Sequence, residues 1–176
     1  MDIQTELLDV VNGNDEVIGQ DLKSNKIAKG FISRVAAVFL ADSEGKFIIT
    51  KRSEQKMIDP GLCDLAAVGS VVAGESYEAG ARRELQEELS IVCGLELLDK
   101  FYQEIDHEKG KLKFFCAVFL GRTEQLPKLN EEVVGFVKMS LDEIKNEIGL
   151  HPEKFCPGFL NDFRQVEERL ALKILR

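Results

Sequence analysis

Apolar and polar positions alternate through most of the chain, in short runs that are separated by turn residues. Residues 7–11 and 16–19 flank a Gly-Asn-Asp turn, and this pattern predicts a small N-terminal β-hairpin. The polar segment near 21–28 follows it and is compatible with a helix. The hairpin is therefore expected to be an arm that pairs with other strands.

Further strands are predicted in the middle of the chain. The runs 34–41 and 46–52 are separated by Asp-Ser-Glu-Gly, so we expect them to pair as antiparallel strands. Residues 64–72 form one extended apolar run. The runs 95–106 and 111–121 flank His-Glu-Lys-Gly and predict a second hairpin.

Helical patterns are interspersed with these strands. Ser76 can cap a helix that covers about 77–89. A strand over 133–140 precedes a short helix over 141–148, and an amphipathic helix is expected from Pro157 to about Lys173. The mixture predicts an α/β class.

Composition limits the functions that such a fold could have. The chain has 176 residues, of which 44% are hydrophobic, and this size fits one domain in which the hairpin segment 1–30 belongs with residues 31–176. Its 31 acidic residues exceed 23 Lys and Arg, which argues against binding to nucleic acid or to anionic membranes. Without a membrane-length apolar run or a signal-peptide pattern, we expect a cytoplasmic protein.

The four cysteines are scattered and form no C-x-x-C pair. Neither a zinc site nor a disulfide framework is therefore indicated, and two or more of these side chains are expected to be buried.

Three glutamates, Glu84, Glu87 and Glu88, share one face of the helix predicted over 77–89. At about 100° per residue, Glu87 lies about 60° to one side of Glu84, and Glu88 lies about 40° to the other. Like charges at this spacing repel each other, so the trio benefits the helix only when a cation binds. Carboxylate oxygens suit Mg²⁺ or Mn²⁺. A solvated acidic helix is the alternative for these three residues taken alone.

The residues around the trio extend the motif. The segment GSVVAGESYEAGARRELQEELSI, residues 69–91, resembles the Nudix box G-x5-E-x7-R-E-U-x-E-E-x-G-U, in which U is aliphatic. Ser90 stands where the motif has its last glycine, a position that usually ends the helix in a left-handed conformation. We therefore expect a shifted helix end that uses Gly94, without loss of metal binding.

The resemblance extends from about Leu7 to Leu141 and is closest to the isopentenyl diphosphate isomerase-like hydrolases. It implies an α/β/α sandwich around a mixed β-sheet, to which the N-terminal hairpin is added. It also implies hydrolysis of a diphosphate that is linked to another moiety.

The resemblance further implies roles for the residues of the motif. The Mg²⁺ ligands, with Mn²⁺ as a substitute, would be Glu84, Glu87, Glu88 and the carbonyl oxygen of Gly69. Gly69, Glu75 and Arg83 would have structural roles, and Arg83 can reach back toward Glu75 to brace the loop.

The residues that activate water are less well defined. A carboxylate must accept the proton of the attacking water, and Glu84, Glu87 and Glu132 are candidates between which the sequence does not choose. The expected substrate is a small-molecule nucleoside diphosphate or one of its derivatives, and nucleotide sugars and dinucleotide coenzymes stay open.

Basic residues outside the motif are candidates for binding the phosphates of the substrate. Arg52 and Lys56 correspond to basic positions of the isomerase-like branch, and Arg34 begins a predicted strand. Solvent exposure without a role in binding is the alternative for each. A homodimer is among the oligomeric states that the sequence leaves open.

Two other functions compete with hydrolysis. An isopentenyl diphosphate isomerase would carry a catalytic Cys and a metal-binding His where this chain has Val68 and Ser70, and Cys63 lies five residues from the required place. A non-catalytic Nudix module that senses a nucleotide or binds a protein would be expected to lose the acidic trio. All three glutamates are present, which favours the hydrolase.

Overall fold

A nine-stranded mixed sheet with helices on both faces forms the centre of the fold. The computed structural model describes residues 6–56 and 58–174, so the predictions that cover residues 1–5, 57 and 175–176 lie outside it. The strands are β1 (Leu7–Val11), β2 (Val17–Leu22), β3 (Ile32–Ala41), β4 (Phe47–Arg52), β5 (Cys63–Asp64), β6 (Ala67–Ser70), β7 (Leu95–His107), β8 (Gly110–Arg122) and β9 (Val133–Met139). The helices are α1 (Lys26–Lys29), α2 (Tyr77–Leu89), α3 (Leu141–Leu150) and α4 (Pro157–Ile174).

Strand β3 is the hub of the sheet. It pairs in parallel with β8 along its whole length, and its other edge is shared in succession by β1, β6 and β4. The predicted antiparallel pairing of 34–41 with 46–52 is confirmed, but it is limited to one end of the two strands. Only Ala41 and Phe47 are register partners, because β6 occupies the middle of that edge while β4 pairs mainly with β9.

The extended apolar run over 64–72 is divided between two strands, because the chain changes partners within it. Strand β5 pairs with β4, whereas β6 pairs with β3. Leu65 and Ala66 lie between them and are buried. This break directs β6 toward α2, so that Gly69 lies beneath the helix.

Two hydrophobic clusters cover opposite faces of the sheet. Alternate side chains of β3 divide between them, as the two-residue period of a strand requires. Val35, Ala37 and Phe39 pack in the cluster that contains the apolar stripe of α4. Ala36 and Val38 pack in the other cluster, against α2. The predicted α/β/α sandwich is therefore confirmed.

Several predicted elements have different ends. The segment near 21–28 contains the end of β2, a short 3-10 helix and α1. Helix α3 runs to Leu150, two residues farther than predicted, and a capping box between Ser140 and Glu143 fixes its start. The hairpin predicted from 95–106 and 111–121 is present as β7 and β8.

The end of α2 corrects another prediction. Ser90 itself takes the left-handed conformation with φ of 56°, and its backbone N–H donates to the carbonyl oxygens of Gln86 and Leu85. The helix therefore ends at the position of the motif without using Gly94. Within the described ranges, no helix is long and apolar enough to cross a membrane.

Candidate active site

Helix α2 presents its acidic face beside the sheet because its apolar face is anchored. Ala81, Leu85 and Leu89 are buried in the cluster that covers β3. The Ser76 hydroxyl accepts a hydrogen bond from the Ala79 backbone N–H at 3.1 Å and caps the helix start. The apolar residues that pack on the sheet and the glutamates that could bind a metal thus lie on different faces of one helix.

The carboxylate of Glu84 lies directly on the backbone of β6. A β-carbon on Gly69 would overlap this carboxylate, so any other residue at this position would force the Glu84 side chain to move. The Glu84 side chain is mostly buried, and burial raises the pKa of its carboxyl group, although Arg83 opposes that effect. An anionic oxygen and the backbone of Gly69 are consequently adjacent.

Arg83 braces the loop that leads into α2. Its Nε and Nη2 atoms donate to the two carboxylate oxygens of Glu75 at 3.0 and 3.1 Å. Nη2 also donates to the backbone oxygen of Ser70 at 2.9 Å, and Nη1 donates to Glu84 at 2.7 Å. One guanidinium therefore ties the loop, the strand and the candidate ligand together.

Glu88 is a buried carboxylate with few partners to stabilise its negative charge. Burial and the neighbouring charge of Glu84 raise its pKa to about 8. Among the residues that the structure describes, its carboxylate accepts one hydrogen bond, from the Val68 backbone N–H at 3.4 Å, and the Lys56 ammonium lies 3.9 Å away. Glu87 differs, because its side chain is 61% exposed and reaches Arg83 at 3.3 Å.

The loop before β9 brings Glu132 to the same place. Glu132 forms an ion pair with Lys56, which also faces Glu88. Asn130 holds this loop against the end of α2, because its amide donates to the backbone oxygens of Glu87 and Glu88 at 3.2 and 3.0 Å. Lys56, Glu88 and Glu132, which were predicted as site residues from distant parts of the sequence, thus lie together.

The two arginines predicted to contact substrate have protein partners. Arg52 donates to the Asp64 carboxylate at 2.9 Å and to the backbone oxygen of Ile58. Arg34 donates to the Asp15 carboxylate at 2.7 Å and lies over the Tyr77 ring. The structure therefore does not group Arg34 with the acidic face but uses it to hold the N-terminal hairpin.

Asp15 receives further bonds that fasten this hairpin to α2. The Tyr77 hydroxyl donates to its carboxylate at 3.0 Å, and Lys100 forms an ion pair with it. Asp9 accepts a hydrogen bond from the Gly74 backbone N–H at 3.1 Å. The hairpin consequently supports the loop from which the candidate site is built.

The donor set fits a divalent cation in its chemistry. Glu84 and Glu88 supply buried carboxyl oxygens, and the missing side chain at Gly69 leaves its backbone accessible to them. In residues 6–56 and 58–174, however, no three acidic, His or Cys side chains are grouped as a metal site. Arg83 and Lys56 instead pair with the carboxylates.

Sequence reasoning missed several residues around this site. Asn130 lies two residues before Glu132, and the tendency of asparagine to form side-chain turns was the available signal. Lys23 interacts electrostatically with Glu84, and buried Asp64 interacts with Glu88. Neither has a local sequence signal, because both approach the helix through the tertiary fold.

Comparison with known proteins yields a consistent set of relatives. The family model described as the NUDIX domain matches residues 31–158. A Nudix hydrolase from Streptomyces coelicolor is 32% identical over 166 residues, which are 94% of this chain and 85% of that protein. A Serratia proteamaculans protein named isopentenyl-diphosphate Delta-isomerase is 29% identical over 168 residues, 92% of this chain and 91% of that protein.

A solved structure has the same fold. The DR0079 protein from Deinococcus radiodurans superposes with a TM-score of 0.74 at 28% identity, and the match covers 92% of this chain and 99% of that one.

Proposed function

This chain belongs to the NUDIX domain family, and on that premise we propose that it is a Mg²⁺-dependent hydrolase of a nucleoside diphosphate or a nucleoside diphosphate derivative. The reaction would cleave the diphosphate linkage with a water molecule as the nucleophile. Mn²⁺ is proposed as a substitute for Mg²⁺.

The contact of Glu84 with Gly69, beside buried Glu88, is the observation that carries this proposal. Two carboxylates in this environment, one with a pKa raised to about 8, are costly without a cation. Glu84, Glu87, Glu88 and the Gly69 carbonyl are the proposed ligands. Glu75 and Arg83 are proposed to hold these ligands in place.

Different residues are proposed for phosphate binding and for activation of the attacking water. Bound Mg²⁺ would neutralise phosphate oxygens and lower the pKa of a coordinated water. Lys56 is proposed to bind the phosphates, because its ammonium lies between Glu88 and Glu132 and is partly exposed. Glu84, Glu87 or Glu132 is proposed to accept the proton of the attacking water.

Arg52 is proposed to bind the phosphates of the substrate while it keeps its buried ion pair with Asp64. The negative charge of Glu88 acts on its guanidinium, which supports this position near the acidic face. Arg34 is a weaker candidate for phosphate binding, because its guanidinium already donates to the Asp15 carboxylate. We therefore assign Arg34 to the support of the hairpin.

A panel of diphosphates tests the proposal directly. Purified protein would be incubated with nucleoside diphosphates, nucleotide sugars and dinucleotide coenzymes, with Mg²⁺, with Mn²⁺ and with a chelator. We expect metal-dependent release of a monophosphate from at least one substrate. Glu88→Gln should abolish that turnover, whereas Glu78→Gln, on the exposed part of the same helix, should retain it.

The competing binding module makes the opposite prediction. If the panel stayed intact with both metals while a nucleotide bound to the folded protein, the hydrolase proposal would be wrong. An isomerase is disfavoured because Val68 packs against the hydrophobic cluster at the position where catalysis would need a Cys. Ser70 lacks the imidazole that the corresponding metal ligand would supply.

A further inference from the structure

The loop that precedes β9 caps the last turn of α2. Carbonyl oxygens at the C-terminus of a helix have no partners within the helix. Those of Glu87 and Glu88 accept hydrogen bonds from the side-chain amide of Asn130, at 3.2 and 3.0 Å. The next one, of Leu89, accepts from the Lys128 backbone N–H at 3.0 Å. The loop thus supplies the donors for three successive carbonyl oxygens, in the turn that carries two of the proposed metal ligands.

The same asparagine side chain also shapes the loop. Its Oδ1 atom accepts hydrogen bonds from the backbone N–H groups of Glu132 and Val133, at 2.9 and 2.8 Å. Val133 begins β9 and is buried, which anchors this turn in the core. A primary amide has two N–H donors and two acceptor lone pairs, so these four bonds use its full capacity. Asn130 therefore joins the loop to α2 and has no hydrogen-bonding capacity left for a ligand.

Hydrogen bonds continue from this loop to Lys56. The backbone N–H of Ser53 donates to the Glu132 carbonyl oxygen at 2.9 Å, and the Lys56 N–H donates to the Ser53 carbonyl oxygen at 3.2 Å. The Lys56 and Glu132 side chains form an ion pair, and the Lys56 ammonium lies 3.9 Å from Glu88. A continuous series of hydrogen bonds therefore leads from the backbone of α2 to both members of this ion pair.

Stabilisation of the helix end does not account for this series of bonds. Ser90 already closes α2 through hydrogen bonds from its backbone N–H to carbonyl oxygens of the preceding turn. Asn130 is exposed, so water can satisfy the remaining carbonyl oxygens in its absence. Water cannot, however, fix the distance between a helix and a loop. The specific consequence of the Asn130 bonds is the placement of the Lys56 and Glu132 ion pair beside Glu88.

We propose that Asn130 is a positioning residue, which holds Lys56 and Glu132 at a fixed distance from the metal ligands on α2, an inference that rests on the hydrolase function proposed above. Lys56 is the proposed phosphate-binding residue, and Glu132 is a candidate for accepting the proton of the attacking water. Asn130 thus acts on substrate binding through Lys56 and on turnover through Glu132. Binding of the metal alone does not need Asn130, because contacts with β6 place the carboxylates of Glu84 and Glu88.

Binding of a diphosphate analogue tests this role without relying on turnover. The probe is methylenediphosphonate, in which a CH₂ group replaces the bridging oxygen and blocks hydrolysis, and it is titrated calorimetrically in the presence of Mg²⁺. Asn130→Ala removes all four hydrogen bonds, whereas Asn130→Asp removes only the two that are donated to α2. We expect each variant to bind the analogue about tenfold more weakly than the wild type, because both release the loop from the helix. Asn130→Ala adds no charge, so repulsion of the anionic probe cannot explain its loss.

Metal binding separates positioning from a general loosening of the protein. Titration with Mn²⁺ in the absence of the analogue, followed by electron paramagnetic resonance, should give a Kd within about threefold of the wild type for both variants. Circular dichroism establishes that each variant is folded. Asn12→Ala is the matched control, because the Oδ1 atom of Asn12 accepts the backbone N–H groups of Asn14 and Glu16 in the turn of the N-terminal hairpin. This control should bind the analogue as the wild type does.

A double-mutant cycle tests whether Asn130 acts through Lys56. Lys56→Met alone should weaken binding of the analogue by about tenfold, since it removes the ammonium that is proposed to bind phosphate. Adding Asn130→Ala to Lys56→Met should cost less than about twofold, because the residue that Asn130 positions for binding is already gone. Losses that multiply would show that Asn130 acts independently of Lys56.

The positioning role is overturned if the wild type does not bind the analogue, if either Asn130 variant binds it like the wild type, if Mn²⁺ binding is lost together with it, or if the losses in the cycle multiply. If the analogue and Mn²⁺ bind as expected but no diphosphate is cleaved, the positioning of Lys56 stands and the hydrolase proposal fails. If the wild type cleaves a diphosphate and Asn130→Ala cleaves it with the same kcat/KM, the hydrolase stands and the positioning role fails.

Discussion

The carboxylate of Glu84 fills the space that a β-carbon on residue 69 would need. This contact joins α2 to β6 at the candidate active site. Any residue other than glycine would force this carboxylate to move, although the φ of Gly69 does not lie in the left-handed region. The backbone itself would accept any residue, and the side chain of Glu84 imposes the restriction.

Gly69→Ala should therefore displace the Glu84 carboxylate with little effect on the backbone. A displacement of about 1 Å in a catalytic group can lower activity by about 100-fold, and we expect a loss of that size in kcat/KM. Gly94→Ala is the control, because a β-carbon there meets open space. Equal activity of the two variants would contradict the assigned contact.

Arg83→Lys should weaken the loop before α2. A single ammonium cannot replace the paired bonds of the guanidinium to Glu75 together with those to Ser70 and Glu84. We expect a loss of about 1–3 kcal/mol in the free energy of unfolding, measured with urea, and weaker Mg²⁺ binding. Arg82→Lys, at a more exposed residue that pairs with Glu78, should change stability by less than about 0.5 kcal/mol.

Mg²⁺ should stabilise the wild-type protein against heat. At a concentration about 100-fold above its Kd, a ligand adds about 2.7 kcal/mol to the stability of the folded state. Glu88→Gln should abolish the rise in Tm that Mg²⁺ produces. In a chelator at pH 9 the variant should equal or exceed the wild type, since a neutral amide replaces a buried carboxylate. An unchanged metal response in Glu88→Gln would argue against this ligand.

Asp162 should contribute stability to the wild type that is lost as the pH rises from about 4 to 7.5. Burial raises the pKa of its carboxyl group from 3.8 to about 7. The folded state thus favours the protonated form, and the stabilisation is present below pH 3.8 and lost as the pH rises through 7. A shift of about three units corresponds to a change on the order of 4 kcal/mol.

Asp162→Asn should remove most of this pH dependence, because the amide stays neutral throughout. The ionisable groups that act on Asp162 are Cys116 and Asp64, and the variant leaves them in place. Asp106→Asn, whose side chain is 90% exposed, should retain the wild-type slope. Thermal unfolding at several pH values measures each slope, and parallel curves for Asp162→Asn and the wild type would contradict the assignment.

Asp15→Asn should loosen the N-terminal hairpin. Burial alone would raise the pKa of Asp15, but the bonds from Lys100, Arg34 and Tyr77 lower it overall. Asparagine tolerates the φ of 63° at this position and loses only the charge. We expect a loss of about 1.5–3 kcal/mol in unfolding free energy and faster proteolysis within the hairpin. Asn14→Ala, at the adjacent exposed turn residue, should have little effect.

The local features of this protein follow from its sequence alone. Helix periodicity groups Glu84, Glu87 and Glu88, because residues three and four apart share a face whatever the rest of the fold does. The resemblance to the Nudix box pairs Arg83 with Glu75, and the preference of serine for the residue before a helix predicts the Ser76 cap. The resemblance to the Nudix box then identified the family and the sandwich fold.

Long-range partners depended on the tertiary structure. The split of 64–72 into β5 and β6 could not be read from an apolar run, because it depends on which strand edge is free. The meeting of Glu132 with Lys56, the capture of Arg34 by Asp15 and the bonds from Asn130 to the end of α2 likewise depend on register and loop course. A sequence specifies the chemistry of each side chain and its nearest neighbours along the chain, whereas the partners that set burial and charge are chosen by packing in three dimensions.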